Sequence, residues 1–133
     1  MKKKVKNKIL ALIILAFLFV YGCAGVIIGS AAGTGVYTYL KGEVKRSYYK
    51  KSDQCVKVSN QVLKELNVTM LEPSYKTAKT ILKAQRTNES VITIIITKLK
   101  PNLTEISIRS GVVGMWDKEL SELIHESIAE KLQ

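Results

Sequence analysis

The chain has 133 residues, and its 21 basic and 11 acidic residues give a formal net charge of +10. This length leaves room for one domain beside a targeting segment. Five lysines and no acid precede Cys23, so the chain after that cysteine carries only +5. The later bases are scattered among the acids. This argues against a nucleic-acid partner and favours a solvated surface near anionic lipid headgroups.

The N-terminus has the pattern of a bacterial lipoprotein signal peptide. Five of the first eight residues are lysine, and Ile9 to Val20 then contains no polar side chain. Twelve helical residues would cover about 18 Å, short of the roughly 30 Å hydrocarbon core of a bilayer. The sequence V-Y-G-C at 20–23 resembles a lipobox, in which only Tyr21 is larger than usual. We therefore expect cleavage after residue 22 and acylation of Cys23.

Residues 23–40 are interpreted as an apolar, glycine-rich tether between the lipid and a domain. Gly25, Gly29 and Gly33 recur every four residues, so a membrane helix that packs through small residues is the alternative. An uncleaved helix over 9–40 would be about 48 Å long, too long for one simple span. Ala24 follows the cysteine, and among lipoproteins of this type that favours the outer membrane over the inner one.

The segment 41–133 predicts a single α+β domain that begins with a strand over Lys41 to Tyr49. Ser52 or Asp53 can cap a helix that runs through about Leu66. Its predicted apolar face carries four residues at helical spacing: Cys55, Val58, Val62 and Leu66. We expect Cys55 to be buried and inert, and acylation of Cys23 would leave it without a disulfide partner.

Four further strands are predicted at 67–72, 79–86, 90–100 and 103–109. The third is the clearest, because V-I-T-I-I-I-T is rich in β-branched residues. Pro101-Asn102 supplies a tight turn before the fourth strand. On the third strand we expect Ile92, Ile94 and Ile96 to face the helices. Thr93, Ile95 and Leu99 should face the other way.

Asp117 is predicted to cap a last helix that runs nearly to Gln133. The predicted apolar stripe of this helix contains Leu120, Leu123, Ile124, Ile128 and Leu132. His125 is out of step with that stripe, so we expect it on the solvated surface. The element order β-α-β-β-β-β-α predicts one antiparallel sheet packed by two helices.

Several segments resemble a family of small bacterial lipoproteins that is catalogued as a domain of unknown function. The matching pieces are G-C-A at 22–24, Y-x-x-G-E at 39–43, T-E-I-S-I-R-x-G-V-x-G at 104–114, Ala84 to Arg86 and Ser121 to Ile124. The chain departs from the family at Ser110, where valine is usual, and at Met115-Trp116, which lengthens the loop. The resemblance implies a lipid-anchored envelope protein with one α+β domain, and it implies no activity.

No arrangement of residues in the sequence predicts catalysis, a metal site or a cofactor. His125 is the only histidine, and too few ligand types accompany it for a zinc site. Neither nucleotide-binding fingerprint is present. The one segment with a predicted contact role is the glycine-bearing loop with Arg109, Gly111, Gly114 and Trp116. Trp116 is expected either to be exposed as a contact residue or to cover the last helix.

The sequence thus favours a non-enzymatic, lipid-anchored envelope protein that faces the periplasm. Its partners would be membrane lipid, through acylated Cys23, and another envelope protein. Two alternatives remain open. One is a domain that binds a small ligand or lipid in a groove between sheet and helices. The other is an uncleaved single-span membrane protein with a Gly-x-x-x-Gly helix.

Overall fold

The computed structural model describes residues 37–133. The predicted signal peptide, the lipidation site at Cys23 and the tether up to residue 36 lie outside these residues. The strands are β1 Thr38–Leu40, β2 Glu43–Tyr48, β3 Thr69–Met70, β4 Ser74–Lys76, β5 Lys79–Gln85, β6 Val91–Lys100, β7 Leu103–Val112 and β8 Met115–Trp116, and the helices are α1 Ser52–Glu65 and α2 Lys118–Lys131. Neither of these helices has the length and apolarity needed to cross a membrane.

All strands join one antiparallel sheet in the order β1-β2-β7-β6-β5-β3. The short strand β4 pairs with β5, and β8 pairs with the C-terminal end of β7. The α+β class, the antiparallel sheet and the element order are confirmed. Three short strands (β1, β4 and β8) were not predicted, and β1 falls in the last three residues of the segment interpreted as tether.

The core lies between one face of the sheet and the two helices. The predicted inward residues of β6 are fully buried: Ile92, Ile94 and Ile96. Ile106 and Ile108 of β7 pair directly with two of them and are equally buried. Thr93 and Ile95 are partly exposed on the other face, and Leu99 is exposed. The predicted register of β6 is therefore confirmed, with each buried isoleucine contributing about 1.5–3 kcal/mol to folding.

Helix α1 packs on the sheet through a slightly different set of residues from the predicted one. Its buried residues are Cys55, Ser59, Val62 and Leu63. The expectation for Leu66 was wrong, because the helix ends at Glu65 and the Leu66 side chain is 42% exposed. The cap prediction was also wrong, since Lys51 is the N-cap and its N–H donates to the Gln54 side chain at 3.4 Å.

Helix α2 confirms its predicted cap, since Asp117 Oδ1 accepts from the N–H of Leu120 at 2.9 Å. Its apolar stripe was partly wrong, because Leu123 is 58% exposed. Ser121 and His125 are buried instead. Relative to the predicted orientation, the helix is rotated so that Ser121 and His125 face the core. Each of these two polar side chains forms a hydrogen bond there.

Candidate functional site

The face of the sheet opposite the helices carries a network of charged residues around Glu43. Its carboxylate accepts hydrogen bonds from Arg109 Nη2 and from Ser107 Oγ, each at 2.9 Å. Lys45 Nζ lies 3.7 Å from the same carboxylate and 4.0 Å from Glu105. Because these side chains are partly exposed, the ion pairs add about 1 kcal/mol or less each, but they fix the position of Arg109.

Arg109 is held on three sides. Its guanidinium carbon lies 4.9 Å from the centroid of the Trp116 ring, in cation–π contact. Its Nη2 also donates to the carbonyl of Lys41 at 3.3 Å. Its Nε is buried and makes no hydrogen bond to the described residues. The charge of Arg109 is thus presented by a fixed guanidinium rather than by a free side chain.

Trp116 lies against the β1–β2 turn at Gly42. A Cβ at Gly42 would come within 2.4 Å of the indole ring, and Gly42 has a φ of +82°, which favours glycine. The tryptophan is therefore seated on the turn that precedes Glu43. The ring does not cover the last helix, because it contacts the turn and Arg109 on the face of the sheet opposite the helices, and a contact role for Trp116 stays a prediction.

The β7–β8 hairpin extends from this network as a short loop. Gly111 has a φ of +119°, and a Cβ there would meet the Met115 carbonyl at 2.4 Å. Pairing of Val112 with Met115 closes the hairpin around a two-residue turn. Apolar side chains point outward from it, with exposed fractions of 87% for Val113 and 76% for Met115. A well-supported hairpin thus presents apolar side chains to solvent.

A cavity of about 320 Å³ lies beside the hairpin. Its lining includes Glu89, Val91, Thr93, Arg109, Val113 and Trp116. It is on the open face of the sheet, not between sheet and helices, where the predicted ligand groove would lie. A second, shallower depression of about 500 Å³ lies on the outer side of α1, between Lys57 and Lys64.

The structure brings together three of the four predicted contact residues. Arg109 and Trp116 are in direct contact, Gly111 shapes the loop between them, and Gly114 lies at the turn, where an added Cβ would meet open space. Glu43 and Gly42 also belong to this site and were not predicted from the sequence. Both belong to the Y-x-x-G-E motif at 39–43, and only the structure shows their contacts with Arg109 and Trp116.

The expectation for His125 was wrong, because its side chain is fully buried. Its Nε2–H donates to the Val44 carbonyl at 2.8 Å, which leaves Nδ1 to accept from the Tyr48 hydroxyl at 2.9 Å. Burial, aided by the Arg46 charge, lowers the pKa of His125 to about 4. Burial likewise raises the pKa of Tyr48. These hydrogen bonds join α2 to strand β2.

Cys55 is the one cysteine among residues 37–133, and it lies in the core. Cys55 is fully buried, as predicted, and burial raises the pKa of its thiol, which disfavours the reactive thiolate. Within residues 37–133, no three histidine, cysteine or acidic side chains are grouped so that they could hold a metal ion.

A family model described as "Protein of unknown function (DUF3568)" matches residues 6–131 of the chain. The chain belongs to this family. The match spans both the N-terminal segment and nearly the whole domain, so the family comprises the two together. No curated protein matches the chain. The match to DUF3568 therefore establishes the family, whose description names no function.

Proposed function

We propose that the chain is a non-enzymatic, lipid-anchored protein of the bacterial cell envelope that binds another protein through its β7–β8 hairpin. The contact surface consists of Val112, Val113 and Met115, together with Arg109 and Trp116 behind them. Acylated Cys23 would hold the domain at a membrane, which we take to be the outer one, with the domain facing the periplasm.

The observation that carries the binding half of the proposal is the exposure of apolar side chains on a rigid support. Val113 and Met115 are among the most exposed large apolar residues of the described chain. Methionine, tryptophan and arginine are enriched in protein–protein interfaces. Because Arg109 and Trp116 are already held by Glu43 and the Gly42 turn, little conformational entropy would be lost on binding.

Site-specific photocrosslinking in cells tests the contact surface. A photoreactive amino acid at Val113 should give one discrete crosslinked species, and the same probe at Ser127 on the exposed side of α2 should give none. An Arg109→Ala background should weaken the crosslink, because the loop loses its support. Identical crosslinks from both positions, or none from Val113, would contradict the proposal.

The anchoring half rests on the basic N-terminus, the apolar run at 9–20 and the V-Y-G-C sequence. Intact-mass measurement of the purified protein should show loss of residues 1–22 and a mass increase from acyl chains. Multiple chains make anchoring stable, whereas one chain is marginal. The Cys23→Ser chain should be neither cleaved nor acylated. Retention of Lys2 to Lys8 in the wild-type chain would instead support the uncleaved single-span alternative.

The cavity beside Arg109 favours one second candidate, a small-ligand-binding domain. Its volume of about 320 Å³ is at the lower end of the usual range for ligand pockets. Trp116 is the only tryptophan of the chain, so its fluorescence would report occupancy of this cavity. Native mass spectrometry of the protein extracted from cells should then show a bound small molecule. Loss of that molecule in a Thr93→Trp variant would place it in the cavity.

A further inference from the structure

Six lysines from three separate segments of the chain lie together at one end of the sheet. This lysine-rich end consists of Lys50, Lys51, Lys76, Lys79, Lys98 and Lys100. The antiparallel register places them there. Thr104 pairs with both Tyr48 and Lys98, so the end of β2 and the end of β6 lie on either side of the start of β7. Bases that are scattered along the sequence are therefore clustered in the folded domain.

The register continues across the rest of the sheet. Lys79 of β5 pairs with Thr97 of β6 on one side and with Lys76 of β4 on the other. The N–H of Lys98 donates to the Ala78 carbonyl at 2.9 Å, so the β4–β5 turn also lies at the lysine-rich end of the sheet. The lysines therefore span the full width of the sheet, from β2 to the far edge.

The charge of the lysine-rich end is largely uncompensated. Five of its six lysines are exposed, and none of the six forms an ion pair with a residue of 37–133. The neighbouring Glu105 lies 4.0 Å from Lys45, outside the set, and Asp53 stands in the first turn of α1. The positive potential of this end is thus available to an anionic surface.

Exposed aromatic and aliphatic side chains stand among these lysines. Tyr49 is 60% exposed, Tyr75 is 67% exposed and Leu99 is 49% exposed. Tyrosine is enriched at membrane–water interfaces, where its ring meets the apolar boundary and its hydroxyl meets water. Lysine stems can lie along the same boundary with their charges in the headgroup layer.

The first described strand, β1, is oriented with its N-terminal end nearer the lysine-rich end. Thr38 pairs with Lys45 and Leu40 pairs with Glu43, so β1 runs away from the lysine-rich end. Tyr37 accordingly enters the domain beside Arg46, on the side nearer that end.

We infer that the lysine-rich end lies against the anionic lipid headgroups of the membrane that holds the anchor. The inference rests on the anchoring half of the proposed function. Each lysine near an anionic bilayer contributes on the order of a fivefold preference for the surface-bound orientation. The opposite end, with Val113 and Met115, then points away from the lipid and remains free for a protein partner.

The test uses the full chain with its own anchor, reconstituted into phospholipid vesicles. A Leu99→Cys variant carries an environment-sensitive dye, and a Val113→Cys variant carries the same dye as the matched control. In vesicles that contain phosphatidylglycerol, the dye at 99 should shift to the blue and be quenched by brominated lipid. In pure phosphatidylcholine, at high salt, or with the dye at 113, neither change should occur.

Paired charge-neutralising variants separate local contact from net charge. Lys98→Gln with Lys100→Gln should lower the preference for the surface-bound orientation about 25-fold, at about fivefold per lysine. Lys57→Gln with Lys64→Gln on α1 removes the same charge and should leave the signal unchanged. Equal effects of the two pairs, or equal signals in both vesicle types, would overturn the inference.

Two further outcomes are informative. If single-stranded DNA added to phosphatidylcholine vesicles changes the signal as strongly as phosphatidylglycerol does, the surface prefers any polyanion and the lipid assignment is wrong. The intact mass of the labelled sample reports the anchor separately, because unmodified Cys23 would take up a second dye. Failure of the anchoring proposal is therefore distinguishable from failure of this one.

Discussion

Lowering the pH should destabilise the domain through His125. In the folded chain its imidazole is fully buried, and its pKa lies at about 4 rather than at the ordinary 6.5. In the unfolded chain His125 takes up a proton with a pKa near 6.5, whereas in the folded chain the buried imidazole stays neutral down to about pH 4. Stability attributable to His125 is therefore present above about pH 6.5 and is lost as the pH falls toward about 4.

The magnitude follows from the difference in pKa. At about 1.4 kcal/mol per unit, the full loss approaches about 3 kcal/mol, and between about pH 7 and about pH 5 it is about 2 kcal/mol. The groups that face the imidazole are the Val44 carbonyl, the Tyr48 hydroxyl, the Tyr37 ring and the Arg46 charge. Burial disfavours the imidazolium most strongly, the hydrogen bond to the Val44 carbonyl opposes this effect in part, and the Arg46 charge adds repulsion.

The assay is urea unfolding followed by circular dichroism, on a fragment that begins at Gly35, where the compact unit begins. The free energy of unfolding should fall by about 2 kcal/mol between about pH 7 and about pH 5. A His125→Gln variant should lose most of this dependence, whatever its absolute stability. Tyr48→Phe should retain it, because the histidine stays buried. A wild-type stability that is flat over this range, or a slope that survives in His125→Gln, would refute the reasoning.

Other changes test the core, the support of the contact surface and the cap of α2. Ile94→Ala should cost about 2–5 kcal/mol in urea unfolding because Ile94 is fully buried, and Ile95→Ala on the open face should cost clearly less; equal losses would contradict the register. Gly42→Ala should destabilise by about 1–3 kcal/mol, and a double-mutant cycle with Trp116→Ala should show that the two losses are not additive. Asp117→Ala should cost about 1 kcal/mol, seen as a lower urea midpoint, because α2 loses its N-cap hydrogen bond; an unchanged midpoint would mean that this bond contributes nothing.

Local periodicity determined most of the fold. The alternation of residues 90–100 fixed a strand and its buried face, because side chains point to opposite sides at each step. Helical spacing located both helices, and Asp117 marked the start of the second. The strands β1, β4 and β8 were missed because two or three residues carry no periodic signal. They exist because longer neighbours offer free backbone hydrogen bonds.

Only the tertiary structure decided which polar residues are buried and which charges meet. Hydrophobicity alone placed Leu123 inside and His125 outside, whereas the packed helix buries the histidine because the carbonyl of Val44 and the hydroxyl of Tyr48 satisfy its ring. The contact between Glu43 and Arg109, 66 residues apart, depends on the pairing of β2 with β7. Lys50 and Lys100 reach one end of the sheet for the same reason. Sequence patterns indicate which face of a single helix or strand is buried, whereas strand register decides which distant side chains become neighbours.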